Sequence, residues 1–526
     1  MKIIDRHAPL RKFRVKGRNN PWFSAELSSL LHERNNAWAK ARKSGSEVEW
    51  LRFRQLRNSF TSQIKSAKSK YYLSVTTENL NNPRKFWKAI KSISTGDIPN
   101  ELPPCLTTAS GSISDRATML NCFNEHFVSC GSLFGCVAPV NAPILDSEQC
   151  GLENPFSFTP LTIGIVHEAL SKLDPRKPAG PDNLEPFFLK ISADFIAPPL
   201  TSLFNLSLST NAIPKVWKSA YVLPLLKGGE ATILNNYRPI SKLSVLAKVL
   251  ERLVSEQVKE FLCINDILSK HHSGFRKKHS TITATMKVVN DITSILDNKQ
   301  SCAALFIDLS KAFDTVDHRI LKQRLLSIGI SSLAVGWFVN YLSERSQCVH
   351  FDGLSSEWLN ISNGVPQGSV LGPLLFSIYI NSVGDNVDEA TLHFYADDTV
   401  MYCAGPTIQE AVVKLQAVFN TIQTQLFELK LLLNVDKTKV MLFSKVKKTP
   451  EPVLDIVTTQ GTKLEVVACY KYLGIWLDDC LSFKLHVNNL LKKLRVRLGF
   501  FYRNKSCFSL EARKRLVTVT FLPVLD

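Results

Sequence analysis

Apolar and polar positions follow three different rhythms along this chain. Between 22 and 93, Trp50, Phe53, Leu56, Phe60 and Ile64 recur at three- and four-residue intervals among Arg52, Arg54, Arg57, Lys65 and Lys68, the period of an amphipathic helix. We expect that stripe to be a packing face rather than a row of base-stacking platforms. From 94 to 158 the period is lost, and Pro, Gly, Ser and five of the twelve cysteines fall in irregular order, which predicts a linker with one short helix near 118–128. From about 159 the texture is dense, with helical segments at 163–173 and 245–262. Residues 301–307 are mainly apolar and read as a buried strand that delivers Asp308 at its end. In 391–403, β-branched and aromatic residues flank Asp397 and Asp398, which suits a strand, a tight turn and a second strand. Residues 484–500 mix five leucines with Lys492, Lys493, Arg495 and Arg497, another basic amphipathic helix.

Composition narrows this picture. A chain of 526 residues with 45% hydrophobic content has room for two to four domains with real cores. The net charge of +18 is uneven: residues 1–100 hold 21 Lys and Arg against 7 Asp and Glu, so they carry +14 of it. Such asymmetry points to a polyanionic partner, nucleic acid first, for the amino-terminal part. A solvated basic helix would have the same composition. The 12 cysteines show no zinc spacing and read as thiols of a reducing compartment. There is no apolar signal segment and no apolar run of about 18 residues, so the expectation is a nuclear or cytoplasmic protein, not secreted and without membrane partners.

Chemistry enters with the acids. Adjacent carboxylates repel, and a turn presenting Asp397 and Asp398 is stable when they face solvent or share a cation, for which oxygen ligands suit Mg²⁺ or Mn²⁺. Alone, such a pair is more often a solvated bend. Asp308 at the end of another strand changes the reading, because three carboxylates can surround a pair of metal ions and support phosphoryl or nucleotidyl transfer. Between the two acidic places, Gly364 and Pro366 break regular structure, and Gln367 and Gly368 start an apolar helix. A glycine there would let a nucleotide lie against the backbone; an ordinary loop-to-helix junction would look alike.

Taken in order, Phe306-Ile307-Asp308-Leu309-Ser310-Lys311-Ala312-Phe313-Asp314, Gly364-Val365-Pro366-Gln367-Gly368-Ser369 and Tyr395-Ala396-Asp397-Asp398 resemble reverse transcriptase motifs A, B and C. Asn236-Tyr237-Arg238-Pro239-Ile240-Ser241 and Ser273-Gly274-Phe275-Arg276 look like the fingers motifs of non-LTR (LINE-type) retrotransposons. The resemblance covers roughly 175–526, and 1–93 resembles more weakly the linker that precedes such polymerases. It implies an α+β right-hand polymerase fold with fingers and palm, an antiparallel sheet plus helices, and a partial helical thumb. The expected divisions are a basic nucleic-acid-binding arm (1–93), an irregular linker (94–158), fingers (159–300), palm (301–480) and partial thumb (481–526), with the reverse transcriptase domain at about 208–480.

The resemblance also assigns roles. Asp308, Asp397 and Asp398 would be the catalytic and metal-site acids, holding two Mg²⁺ or Mn²⁺ ions. Lys227, Arg238, Arg276, Phe313, Gln367, Gly368 and Lys437 would surround the nucleotide. Among them, Lys227 and Arg238 would grip the triphosphate, Phe313 would gate the sugar, and Lys437 would protonate the leaving pyrophosphate. Arg276 has the template backbone as its other candidate contact. Tyr472, Leu473 and Gly474 would form the primer grip, with Gly474 permitting close backbone approach. Asp314 and Asp317 are expected as surface or capping acids. The implied partners are an RNA template, a DNA primer and deoxynucleoside triphosphates. Complete elements of this class carry an amino-terminal endonuclease, and the chain is expected to lack it and to stop within the thumb. The rivals are a catalytically silent nucleic-acid-binding remnant and another two-metal enzyme such as a cyclase.

Overall fold

The apolar run Ser301–Ile307 is buried at every position and forms the central strand of a five-stranded sheet. It pairs antiparallel with Asp398–Gly405 on one side and Lys439–Phe443 on the other, while Thr391–Tyr395 and Glu465–Val466 close the edges. Side chains alternate across the sheet, so one strand feeds two cores. Ala303, Leu305, Ile307, Met401 and Cys403 join the large cluster that includes the helix Ile408–Glu428. Cys302, Ala304, Phe306, Val400 and Tyr402 pack on the other face with Val288, Ile292 and Leu296 of the helix Thr281–Asp297. Burial on both faces explains why the strand reads as a continuous apolar run rather than an alternating one. Each large side chain so buried stabilises the fold by roughly 1.5–3 kcal/mol.

The structure is a computed structural model, and it describes residues 20–94, 102–108, 111–132, 154–276, 278–385, 387–444 and 455–525. The opening of the expected arm, 1–19, and residues 133–153 of the expected linker lie outside the described residues. The chain divides into two compact units, residues 102–485 and residues 1–101 with 486–526.

In the larger unit a second sheet runs in the order Tyr237–Lys242, Ser219–Leu226, Arg345–Phe351, Leu354–Ser355, with Leu359–Ile361 beside Arg345–Phe351. Residues 345–361 fall within the stretch expected as palm, yet they belong to this sheet because Ser219–Val222 pairs in parallel with Ser346–Val349. The stretch expected as linker also differs. Leu106–Thr108 pairs antiparallel with Gly111–Ile113, and Arg116–Ser129 is a helix capped by Asp115, whose carboxylate accepts from Thr118 N at 2.8 Å. Phe123 and Phe127 of that helix pack on Val222, Tyr237 and Val349 of the sheet. The helix expected near 118–128 is present, and its apolar face has a partner far away in sequence.

In the smaller unit, Ala25–Ser44 and Glu47–Glu78 form a helical pair joined at Gly45. Phe60 of the predicted stripe is buried, and the Arg34 guanidinium lies over its ring at 4.9 Å. Phe86 and Ile90 share a core with Cys507, Phe508, Ala512 and Leu516, so segments from the expected arm and the expected thumb make one unit. Thr76 Oγ1 donates to Cys507 O at 3.1 Å across that core. Lys484–Arg503 has no buried residue along its length. Among the described residues no helix is long and apolar enough to cross a membrane.

Candidate active site

The strand register brings the acids together. Thr399 stands opposite Ile307 across the antiparallel pair, so Asp398 and Asp308 follow at the same end of the two strands. Tyr395 pairs with Asp398, leaving Ala396 and Asp397 as a two-residue hairpin turn with Ala396 at φ +58°. Asp308 N donates to Thr438 Oγ1 at 3.3 Å and its carbonyl accepts from Asn434 N at 2.8 Å, which ties the end of the strand to the 434–438 turn. That turn carries Lys437, whose ammonium lies 3.7 Å from the Asp308 carboxylate.

Asp308 and Asp397 line one cavity of about 640 Å³ together with Lys227, Arg238, Phe313, Gln367 and Lys437. Asp398 keeps a solvent-accessible face, yet surrounding protein and then the charges of Asp397 and Asp308 push its pKa up to about 6. Water at that face weakens the burial contribution, so like-charge repulsion is the part that matters here. Lys227 is held below the usual lysine range by partial burial and by Arg238 and Lys437, against the pull of Asp308 and Asp397. The cavity thus holds carboxylates and cations together, close enough to act on one another.

The other expected residues sort by contact. Phe313 lines the cavity with its ring stacked on Phe376 at 4.6 Å between centroids. Gln367 donates from Nε2 to both Asp314 oxygens at 2.9 and 2.8 Å, and its carbonyl accepts from Ser241 N at 2.8 Å. Gly368 has φ +132°, and a Cβ there would lie 2.4 Å from Ser241 O, so only glycine lets this loop approach the strand Tyr237–Lys242. Arg276 is not among the cavity's residues. It follows Phe275 at φ +59°, and its guanidinium turns back to donate to the carbonyls of Ser269 and His272 at 3.2 Å.

Tyr472, Leu473 and Gly474 lie in the hairpin of Cys469–Tyr472 with Ile475–Asp478. Tyr472 is buried, and its hydroxyl meets His393 Nδ1 at 3.2 Å. Leu473 and Gly474 form the turn, at φ +45° and +98°. A Cβ at Gly474 would meet no other atom of the chain within 4 Å, and the turn's positive φ favours glycine there. Burial and then the charges of Asp398 and Asp308 push Tyr470 of this hairpin up to about 12, which sets it near the acids.

The two acids expected at the surface or as helix caps are both engaged. Asp317 caps the helix His318–Ser327 through Arg319 N at 2.8 Å and Ile320 N at 3.3 Å, and also accepts from Lys430 Nζ at 2.7 Å. Asp314 is part of the cavity wall, and burial pushes its carboxyl up to about 6 against the hydrogen bonds from Gln367. Lys311, Asn235, Asn434 and Asp436 also line the cavity and carried no separate signal in the sequence.

Hard oxygen donors at a strand end, mutually repelling and facing a cavity, fit divalent cations. As a set, the three site aspartates are more open than Asp478, Asp479 and Cys480, whose ligand atoms lie within 4.8 Å of one another. The latter group is occupied structurally: Asp478 accepts from Ser482 N and Phe483 N, each at 2.8 Å.

An antiparallel sheet that gathers three aspartates at one end, under a cavity walled by a second sheet, defines the palm and fingers of a nucleotide polymerase. Residues 225–477 match the family model described as reverse transcriptase (RNA-dependent DNA polymerase). The chain is 29% identical over 456 residues to the probable RNA-directed DNA polymerase from transposon BS of Drosophila melanogaster, covering 83% of this chain and 49% of that protein. It is 31% identical over 361 residues to the RNA-directed DNA polymerase from mobile element jockey of Drosophila melanogaster, covering 66% of this chain and 39% of the relative. The Drosophila funebris jockey polymerase is likewise 31% identical over 392 residues, 72% of this chain and 41% of the relative. The chain therefore spans about half, or less, of the length of these curated relatives. Residues 225–477 are a reverse transcriptase domain, and the chain is similar to RNA-directed DNA polymerases of mobile elements.

Proposed function

We propose that the chain extends a DNA primer on an RNA template with deoxynucleoside triphosphates. The observation that carries this is the register of Ser301–Ile307 against Asp398–Gly405, which puts Asp308, Asp397 and Asp398 at one strand end beside a cavity also lined by Lys227, Arg238 and Lys437. Asp308, Asp397 and Asp398 would hold two Mg²⁺ or Mn²⁺ ions, which when bound lower the pKa of a primer 3′-hydroxyl and neutralise a pyrophosphate leaving group.

The remaining roles belong to this chain's own side chains. Lys227 and Arg238 bind the triphosphate, Arg as a fork and Lys as a point charge. Lys437, already near Asp308, donates a proton to the departing pyrophosphate. Phe313, wedged against Phe376, obstructs a ribose 2′-hydroxyl. Gln367 and Gly368 flank the base, and the hairpin turn at Tyr472, Leu473 and Gly474 holds the primer end. The smaller helical unit, with exposed Arg52, Arg54, Arg57, Lys492, Lys493 and Arg495, grips nucleic-acid backbone without reading sequence. Arg276, bonded to loop carbonyls, serves to shape its own segment rather than to touch the nucleotide.

The test is primer extension by the unmutated chain on a defined RNA template. Deoxynucleotide incorporation with Mg²⁺ that stops on adding EDTA is expected. Salt-sensitive RNA binding with no synthesis under any divalent cation would instead favour a silent nucleic-acid-binding remnant.

A further inference from the structure

Lys311 sits in the loop between Asp308 and Phe313 with its backbone at φ +50°, a conformation that side chains with a Cβ rarely adopt. Its ammonium is clamped from outside that loop. Lys311 Nζ donates to His126 Nε2 at 3.1 Å, to Cys130 Sγ at 2.6 Å and to Asn235 Oδ1 at 3.4 Å. All three partners are neutral acceptors. Burial and the nearby lysine charge hold His126 down at about 4, and burial raises the Cys130 thiol above its ordinary value. Among the described residues no carboxylate forms an ion pair with Lys311, and the acid nearest in effect, Asp314, is engaged by Gln367. Lys311, Cys130 and Asn235 all line the cavity that holds Asp308 and Asp397. A fixed cation, held by groups that leave its charge uncancelled, is suited to an anionic ligand entering that cavity.

We infer that Lys311 is a phosphate-binding residue of the nucleotide site, and that His126, Cys130 and Asn235 are positioning residues that aim it at the triphosphate of the incoming nucleotide. The inference rests on the polymerase reading above and deepens it. His126 and Cys130 come from the helix Arg116–Ser129 and the turn after it, outside the matched residues 225–477, so the nucleotide site is built partly from sequence that the family match does not reach.

The experiment compares parent, Lys311→Met, Lys311→Arg, His126→Leu and His126→Gln on a defined primer and RNA template. Loss of a charge-assisted hydrogen bond predicts a KM for deoxynucleotide raised about tenfold or more in Lys311→Met. Little change in kcat or in primer–template affinity should accompany it, and Lys311→Arg should recover part of the loss. His126→Leu should raise KM, and His126→Gln, which keeps an acceptor, should restore it. Unchanged KM in Lys311→Met, or weakened primer–template binding with KM unchanged, would overturn the assignment, the latter pointing to a strand phosphate instead. A second measurement needs no catalysis: inorganic triphosphate should bind the unmutated chain about tenfold or more tightly than it binds Lys311→Met, read by isothermal titration calorimetry. Equal binding by the two would count against the inference even if the parent polymerises. An inactive parent for which that difference holds would instead count against the polymerase reading alone.

Discussion

Phe313 and Asp317 show how differently two side chains of one loop are held. The Phe313 ring is stacked on Phe376 and has little freedom to retreat, so a bulkier sugar in the cavity would have to displace two aromatic rings. Phe313→Val should therefore increase ribonucleotide incorporation relative to deoxynucleotide by about tenfold or more, measured as the ratio of kcat/KM values, since one contact of this size is worth ~1–3 kcal/mol. Unchanged sugar selectivity would remove the gate. Asp317 is an electrostatic case. Burial raises its pKa, but Lys430 and the amides of Arg319 and Ile320 outweigh that and bring it to about 2. A folded-state pKa below the unfolded one gives stability that is fully present above about 3.8 and is lost as the pH falls towards 2. Asp317→Asn should then lower stability by about 2 kcal/mol at pH 7. In denaturant titrations the gap should narrow through that acid window, and a gap constant from pH 7 to pH 3 would contradict the assignment.

At the scale of elements, the site depends on close approaches between segments far apart in sequence. The loop before the helix Gly372–Tyr379 reaches Ser241 only because Gly368 has no Cβ. Gly368→Ala must push that loop away from a backbone oxygen 2.4 Å from the new methyl, a strain of about 1–3 kcal/mol. Nucleotide KM should rise and thermal stability fall together in that variant; parent-like values of both would show that the approach is unimportant. The acids were legible in the chain because apolar runs and turn residues mark strand ends by local rules, and Asp308, Asp397 and Asp398 sit at such ends. Asp314 was not legible as a cavity residue. Its burial is created by Gln367, on another loop, and local pattern offers only a polar residue before a helix. The helix Arg116–Ser129 was legible as a short helix but not as a wall of the site, since its partners Val222, Tyr237 and Val349 lie about a hundred residues or more away. Arg276 lies outside the cavity's lining, its guanidinium held by the carbonyls of Ser269 and His272, contacts that local pattern does not announce.

For the molecule as a whole, positive charge and the candidate catalytic acids are divided between units. The helical unit carries most of the excess positive charge but none of the three acids, whereas the larger unit holds the carboxylates and a cavity sized for a nucleotide. Counterion release makes the first contribution fall steeply with salt, and the second acts only on bound substrate. The two are separable by one substitution. Asp397→Asn removes a charge from the hairpin turn while Tyr395 and Asp398 keep its backbone pairing. Removing a metal-site charge worth about 4 kcal/mol to the transition state predicts a single-turnover rate of deoxynucleotide addition at least about a thousandfold below that of the parent. Salt-dependent binding of the primer–template should stay unchanged in the same variant. Addition at the parental rate by Asp397→Asn, with Mg²⁺ and bound primer–template, would contradict the account.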